Sequence, residues 1–90
     1  MCGIYSLIVL TSVTAAKRVE KAANDYFLHC STMRTPKTLS NHGCSYSVKV
    51  KSENLRQTFS IAEKMGLKIY GVFNELKEAG KINYVKVDMK

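Results

Sequence analysis

Ninety residues carry fourteen Lys+Arg against seven Asp+Glu, which gives a formal net charge of +7. This length fits one domain, residues 1–90, and excludes two, because a useful core needs most of such a chain. Apolar residues make up 46% of the chain, with one proline and five glycines. This composition excludes a disordered tail and a low-complexity linker.

The N-terminal apolar stretch and the cysteine count indicate a compartment. Residues 4–10 are far fewer than the roughly 20 that a membrane-spanning helix needs. No basic residue precedes them, which does not fit a signal peptide. The three cysteines, Cys2, Cys30 and Cys44, are an odd number without a C-x-x-C pair, whereas a disulfide framework has an even count. The sequence therefore predicts a cytoplasmic protein in a reducing compartment, with no membrane association.

The first third of the chain predicts a strand, a helix and a second strand. Ile4–Leu10 is a short aliphatic run typical of a buried strand. Thr11 and Ser12 then offer N-cap hydroxyls to an amphipathic helix, which ends near Asn24-Asp25. Leu28–Met33 is predicted as the second strand.

A polar loop and a half-exposed strand follow. Pro36 disfavours a helical Thr35 and has no N–H for a sheet ladder, so residues 35–43 are predicted as a loop. Beyond the loop, apolar and polar residues alternate, which indicates an antiparallel strand with one exposed face. The inward set is Cys44, Tyr46, Val48 and Val50, and the outward set is Ser45, Ser47, Lys49 and Lys51.

The second half predicts another helix and strand, and then an extension. Ser52 is expected to cap a helix that stops at Gly66, and Leu67–Phe73 is a fourth strand. Residues 74–90 form a C-terminal extension, with a short helix over Asn74–Ala79 and an edge strand over Ile82–Val87. The order β-α-β-β-α-β in a core of residues 4–73 predicts an α+β, ferredoxin-like sandwich, in which two helices cover one face of an antiparallel sheet.

Metal and nucleic-acid sites are not favoured. Adjacent His29 and Cys30 would point to opposite faces of a strand, so the sequence predicts no metal and no cofactor. A basic ferredoxin-like sheet can bind RNA, but that mode stacks bases on aromatic side chains. The outward positions of the third strand, Ser45, Ser47 and Lys49, carry none.

Cys44 is the residue that suits chemistry best. It follows Gly43 at the end of the polar loop and begins a strand. Lys37 and His42 lie nearby in sequence and would stabilise a thiolate, while the glycine leaves room for a partner backbone. The alternative is that Cys44 is simply the first inward residue of its strand, and the residues alone leave both interpretations open.

Two stretches together resemble the selenium/sulfur carrier-like family, over about residues 4–73. Residues 12–21 are similar to the family's Ser-Thr opening after the first strand and the helical Ala-Glu-Lys that follows. Residues 35–40 (Thr-Pro-Lys-Thr-Leu-Ser), followed by Gly43-Cys44 and a strand, resemble the family's Thr-Pro-Arg, hydrophobic, Ser, cysteine-glycine pattern. The reversed order Gly43-Cys44 moves the thiol by one residue, and the glycine that ends the family's first helix is replaced near Phe27.

The resemblance implies a carrier that accepts a persulfide or perselenide on Cys44 and passes it to a partner, rather than a complete enzyme. It implies a donor protein such as a cysteine desulfurase. His42 would support the thiolate, and the other residues expected to shape the loop or bind the partner are Thr35, Pro36, Lys37, Ser40 and Gly43. The alternative function is a non-enzymatic binding module, which dimerises through the open face of the sheet or binds a polyanion such as RNA.

Overall fold

The computed structural model describes residues 5–10, 12–36 and 46–87. Their elements are β1 (Tyr5–Leu10), α1 (Val13–Asp25), β2 (Ser31–Arg34), β3 (Tyr46–Lys51), a short 3-10 helix (Ser52–Asn54), α2 (Leu55–Lys64), β4 (Ile69–Glu78) and β5 (Lys81–Lys86). The strands form one antiparallel sheet in the order β2-β3-β1-β4-β5. The predicted α+β class and the element order β-α-β-β-α-β are confirmed, and β5 adds a fifth strand beside β4.

Both helices pack on one face of the sheet. Ile8 lies between Val48 and Val72 on the neighbouring strands, and these side chains join the helical residues Val19 and Ala62 in one buried cluster. Fully burying a side chain such as Val19 stabilises the fold by roughly 1.5–3 kcal/mol. The core is therefore aliphatic and lies between the helices and the central strands.

The opposite face of the sheet is also buried at its centre. Leu7 and Val9 alternate with the core-facing residues of β1, yet they are 0% and 3% exposed. Ser47 and Glu75, on the flanking strands, are buried on the same face. The central strands therefore do not present an open apolar surface on this side.

The two helices end in the same hydrogen-bond pattern with different residues. In α1, Phe27 N–H donates to the Asn24 carbonyl (2.9 Å) and Leu28 N–H to the Ala23 carbonyl (3.1 Å). In α2, Gly66 and Leu67 repeat this pattern on the carbonyls of Glu63 and Ala62. This is the Schellman motif, whose pivotal residue takes a left-handed conformation that glycine adopts most readily. Gly66, the predicted end of its helix, has a φ of 73°, and Phe27 has a φ of 61°.

β2 is shorter than predicted and begins three residues later. Leu28 and Cys30 were expected to lie in the strand, but His29 also has a positive φ of 53°, which breaks an extended backbone. The backbone of Cys30 forms its hydrogen bonds with the side chain of Asn24 instead of with a neighbouring strand. Asn24 Oδ1 accepts from Cys30 N–H at 2.8 Å, and its Nδ2 donates to the Cys30 carbonyl at 3.2 Å.

The predicted short helix over Asn74–Ala79 is wrong. Residues 74–78 continue β4, and a tight turn at Ala79-Gly80 leads directly into β5. Both turn residues have positive φ, 49° and 80°, which is the type I′ geometry that suits the twist of a two-residue hairpin. The Glu-Leu-Lys-Glu-Ala stretch favours a helix by propensity alone, but pairing with β5 on one side overrides that preference.

Ser52 does not cap α2 as predicted. A 3-10 helix intervenes, and the Ser52 hydroxyl instead lies 2.7 Å from that of Ser6, which in turn donates to Asn74 Oδ1 at 2.6 Å. Ser6 is fully buried, so these contacts satisfy a hydroxyl that would otherwise be stranded in the interior. Ser6 of β1 thus links the 3-10 helix to β4 through side chains.

Candidate functional site

Two of the seven predicted site residues, Thr35 and Pro36, lie in the described part of the chain. The other five lie outside the described residues: Lys37, Ser40, His42, Gly43 and Cys44. The site is therefore approached from the residues that flank it, at the end of β2 and the start of β3.

A buried hydroxyl pair joins the two ends of the segment that carries Cys44. Thr35 Oγ1 lies 2.7 Å from Ser47 Oγ, and both side chains are buried. Thr35 is the residue just after β2, while Ser47 is the second residue of β3. A buried hydroxyl that loses its partner costs about 1–3 kcal/mol, so this contact fixes where the connecting segment leaves and re-enters the sheet.

The start of β3 sits between two other strands. Tyr46 pairs with Leu10 of β1 on one side and with Arg34 of β2 on the other. Pro36 is half-buried and follows Thr35 directly. It has no N–H, so it cannot extend the β2 ladder as a donor. The sheet end at Leu10, Arg34 and Tyr46 is therefore where the connecting segment departs and returns.

The same sheet end carries the N-terminus of α1. β1 ends at Leu10 and α1 begins at Val13, with Ser12 Oγ accepting a hydrogen bond from Ala15 N–H at 3.2 Å. No acidic residue lies in the first turn of α1. A helix N-terminus carries a partial positive charge, and here no side chain of that turn neutralises it. An anion at this end of the sheet would be stabilised by it.

Cys30 has a different setting, in the core. It is 7% exposed, and its Sγ lies 3.8 Å from Thr58 Oγ1 of α2. Burial raises the pKa of the Cys30 thiol above its ordinary value of 9.0; the charge of Glu20 adds to the rise, and the contact with Thr58 opposes it. A buried thiol with a raised pKa is a poor nucleophile, because the thiolate is the attacking form.

Metal-ligating residues do not cluster within the described ranges. His29 is exposed while the adjacent Cys30 is buried, although both residues precede β2 and do not lie on opposite faces of a strand as predicted. Among residues 5–10, 12–36 and 46–87, no group of three or more His, Cys, Asp or Glu side chains is placed to hold a metal ion.

An ion pair with a buried carboxylate and a half-buried lysine crosses the second face of the sheet. Lys49 Nζ lies 3.7 Å from the buried carboxylate of Glu75, and 4.7 Å from the centre of the Tyr5 ring. Burial raises the pKa of Tyr84, and the charge and hydrogen bond of Glu75 raise it further. The sequence could not indicate this cluster, because Glu75 was assigned to a helix. The contacts satisfy the carboxylate, which points to a structural role.

The sequence does not indicate that Ser12 and Ser47 lie at the same end of the sheet as the segment that carries Cys44. Ser12 was identified only as a cap, and Ser47 only as an outward polar residue of a strand. The signal for Ser47 is its position opposite Met33 in the β2–β3 register, which brings it beside Thr35. Recognising that contact requires the pairing of β2 with β3.

The family described as "Putative Se/S carrier protein-like" matches residues 5–74, which is most of the chain. The match spans Ser12, Cys30, Thr35, Cys44 and Ser47. No curated protein and no solved structure gives a significant match. In the described parts of the chain, no helix is long and apolar enough to cross a membrane.

Proposed function

Because the chain belongs to the Se/S carrier protein-like family, we propose that it carries sulfur or selenium as a persulfide or perselenide on Cys44. The observation that carries this proposal is the contrast between the cysteines. The match over residues 5–74 contains Cys30 and Cys44, while Cys2 precedes it. Cys30 is buried with a raised pKa, so Cys44 is the remaining candidate within the matched region.

The sheet end that flanks Cys44 supports this role. Cys44 precedes Tyr46 by two residues in the sequence, and Tyr46 pairs with Leu10 just before α1 begins. In this proposal the thiolate works near the N-terminus of α1. Partial positive charge at a helix N-terminus lowers the pKa of a nearby thiol, which increases the fraction of the attacking form at neutral pH.

The remaining predicted residues have supporting roles in the proposal. Thr35, through its bond to Ser47, holds the base of the segment in place. Pro36 restricts the backbone where the segment leaves β2. Lys37 and His42 add positive charge that favours the thiolate, while Ser40 and Gly43 shape the surface that a partner meets.

The chemistry is thiol–persulfide exchange, and it needs no external oxidant. The Cys44 thiolate attacks the outer sulfur of a donor persulfide, forming a new S–S bond. The donor's own S–S bond breaks, and its electron pair leaves on the donor cysteine as a thiolate. The outer sulfur's proton stays with it or is exchanged with water. Delivery to an acceptor is the same exchange in reverse, and a perselenide follows the same balance with selenium as the transferred atom.

The partners are therefore proteins that make or consume a persulfide or perselenide. A cysteine desulfurase is a donor of the right chemical class, because it generates a persulfide on its own cysteine. The net charge of +7 would favour an acidic docking surface on such a partner. A free, reactive thiol also requires a reducing compartment, which fits the predicted cytoplasmic location.

The test is loading by a small-molecule persulfide, glutathione persulfide, read by intact mass and then by peptide mapping. The parent chain is expected to gain one transferred sulfur atom, located on Cys44 and removed by a thiol reductant. A Cys2→Ser/Cys30→Ala variant, with Cys44 as its only thiol, is expected to load like the parent.

Cys44→Ser is the matched loss-of-function variant, and it is expected not to load. Loading of Cys44→Ser to the same extent as the parent would contradict the site. A folded parent chain that takes no sulfur on Cys44 under conditions that load a free cysteine peptide would contradict the carrier function.

A further inference from the structure

The end of α1 carries three consecutive residues that are locally unfavourable. Asp25 places a negative charge in the last turn of the helix, where the helix dipole disfavours it. Tyr26 and Phe27 are 69% and 80% exposed, although both are large aromatic residues. Phe27 also has a φ of 61°, a left-handed conformation that is unfavourable for any residue with a side chain.

The end of α2 forms the same helix-ending motif without an exposed aromatic residue or a strained side chain in the left-handed position. Gly66 occupies the equivalent position of its Schellman motif, with a φ of 73° and open space around it. Lys64 in its last turn complements the helix dipole. A glycine at position 27 would relieve both the strain and the exposed aromatic surface. Local conflicts of this kind tend to mark residues that serve an interaction.

An apolar groove lies between α1 and α2, beside Phe27 in the chain. Its volume is about 450 Å³, and its lining includes Tyr26, Leu28, Ile61, Lys64 and Met65. Phe27 stands between two lining residues in the chain, but its own side chain projects into solvent. The helix face thus carries an aromatic projection and an apolar recess side by side.

We propose that a second copy of the chain docks here, with Phe27 of each copy, the aromatic projection, inserted into the α1–α2 groove of the other and Tyr26 on the rim of that groove. A projection beside its own complementary recess is the arrangement of a two-fold contact, because the same patch serves on both copies and the assembly closes at two. This dimer does not depend on the proposed carrier function.

The charges of the patch fit a second copy. Lys64 lines the groove, and Asp25 lies two residues before Phe27. Within the described part of the chain, ion pairs join Lys17 to Glu20 and Lys49 to Glu75, and neither Asp25 nor Lys64 takes part in one. Inserting the projection of one copy brings its Asp25 toward Lys64 of the other, and the two-fold axis repeats this pair. A patch with both signs of charge complements itself, whereas a purely basic one would repel its copy.

The test is sedimentation equilibrium of the full chain over a concentration series, at low and moderate salt. The parent is expected to form a dimer, and Phe27→Gly to raise the dimer dissociation constant at least about tenfold, because a central aromatic contact is lost twice. Phe27→Gly should also unfold at a higher denaturant concentration, which shows that its monomer is intact. Tyr70→Ser is the matched aromatic control, since Tyr70 is 55% exposed on β4 and is not part of the groove.

Charge exchange identifies the surface. Asp25→Lys and Lys64→Glu should each weaken the dimer, and the double variant should restore it toward the parent value. A parent chain that is monomeric at about 1 mM, the limit of even a weak specific contact, would overturn the proposal. A dimer insensitive to Phe27→Gly and to both charge variants would overturn it as well, and would point to the sheet face instead.

Discussion

The interior around Cys30 and the sheet end where β3 begins use side-chain hydroxyls in different ways. In the interior, Thr58 of α2 meets the thiol of Cys30 at 3.8 Å, in a setting that raises the thiol pKa. At the sheet end, the hydroxyls of Thr35 and Ser47 contact each other at 2.7 Å and hold a segment of backbone. The chain therefore treats its cysteines differently. Cys30 is buried as a core residue, whereas the segment that carries Cys44 is held at both ends by the hydroxyls of Thr35 and Ser47.

Thr35→Val is the change expected to disturb the sheet end most. It replaces the hydroxyl with a methyl group of similar shape and leaves Ser47, which is fully buried, without its partner. The free energy of unfolding should fall by about 1–3 kcal/mol, measured by urea denaturation. Adding Ser47→Ala removes the stranded hydroxyl and should recover part of the loss. A Thr35→Val variant as stable as the parent would show that the contact does not anchor the segment.

The interior is tested by pH. Burial raises the pKa of Cys30 in the folded chain, whereas the unfolded chain ionises near the ordinary value of 9.0. Ionisation above that pH therefore favours the unfolded state, so the contribution of Cys30 to stability is present below pH 9 and declines as the pH rises. Between pH 7 and pH 10, the stability advantage of the parent over Cys30→Ala should shrink by up to about 1.4 kcal/mol.

Both chains in that pH experiment retain Tyr84, whose pKa is also raised, so its contribution cancels in the difference. Denaturation curves recorded side by side at each pH provide the comparison. An advantage that stays constant or grows across this range would mean that the Cys30 thiol ionises at least as easily in the folded chain as in the unfolded one.

A negative charge introduced at the start of α1 should affect the reactivity of Cys44 at the sheet end, with a smaller effect than the two changes above. Thr14 is exposed in the first turn of α1, which contains no acidic residue. Thr14→Glu should slow the alkylation of Cys44 at neutral pH by roughly two- to fivefold, because a carboxylate there offsets the positive end of the helix dipole. Helix stability should stay the same or rise, so slower labelling is not explained by unfolding.

Thr14→Gln is the matched control, with nearly the same shape and no charge, and its labelling rate should remain close to that of the parent. Equal labelling rates for the glutamate and glutamine variants would place the Cys44 thiol outside the influence of the helix N-terminus.

The patterns that the sequence predicted correctly are local ones. The aliphatic run of β1 and the spacing of Ala16, Val19 and Ala23 each identify an element without knowledge of the rest of the fold. The inward face of β3 is predicted correctly in the same way, since Val48 and Val50 are buried with the helices and Lys51 is exposed. The predicted exposure of Ser47 is wrong, because its hydroxyl is buried against Thr35. Once these elements were placed, their order gave the α+β class.

The features that the sequence missed depend on distant pairings. Asn74–Ala79 favours a helix locally, and only the ladders with β1 and β5 make residues 74–78 a strand. The contact of Thr35 with Ser47 joins residues twelve positions apart and follows from the register of β2 with β3. Phe27 differs from these cases because its motif is local: its left-handed backbone belongs to a helix ending that normally selects glycine, so its side chain gives no signal for it.

The contrast between the two cysteines is tested most directly by the alkylation rates of the native chain. The protein would be labelled with iodoacetamide at neutral pH in a time course, digested, and quantified by peptide mass spectrometry for Cys30 and Cys44 separately. We expect Cys44 to react at least about 100-fold faster, because Cys30 becomes accessible only when the core opens, which costs several kcal/mol. Equal rates for the two thiols, or faster labelling of Cys30, would contradict the assignment of Cys44 as the working thiol.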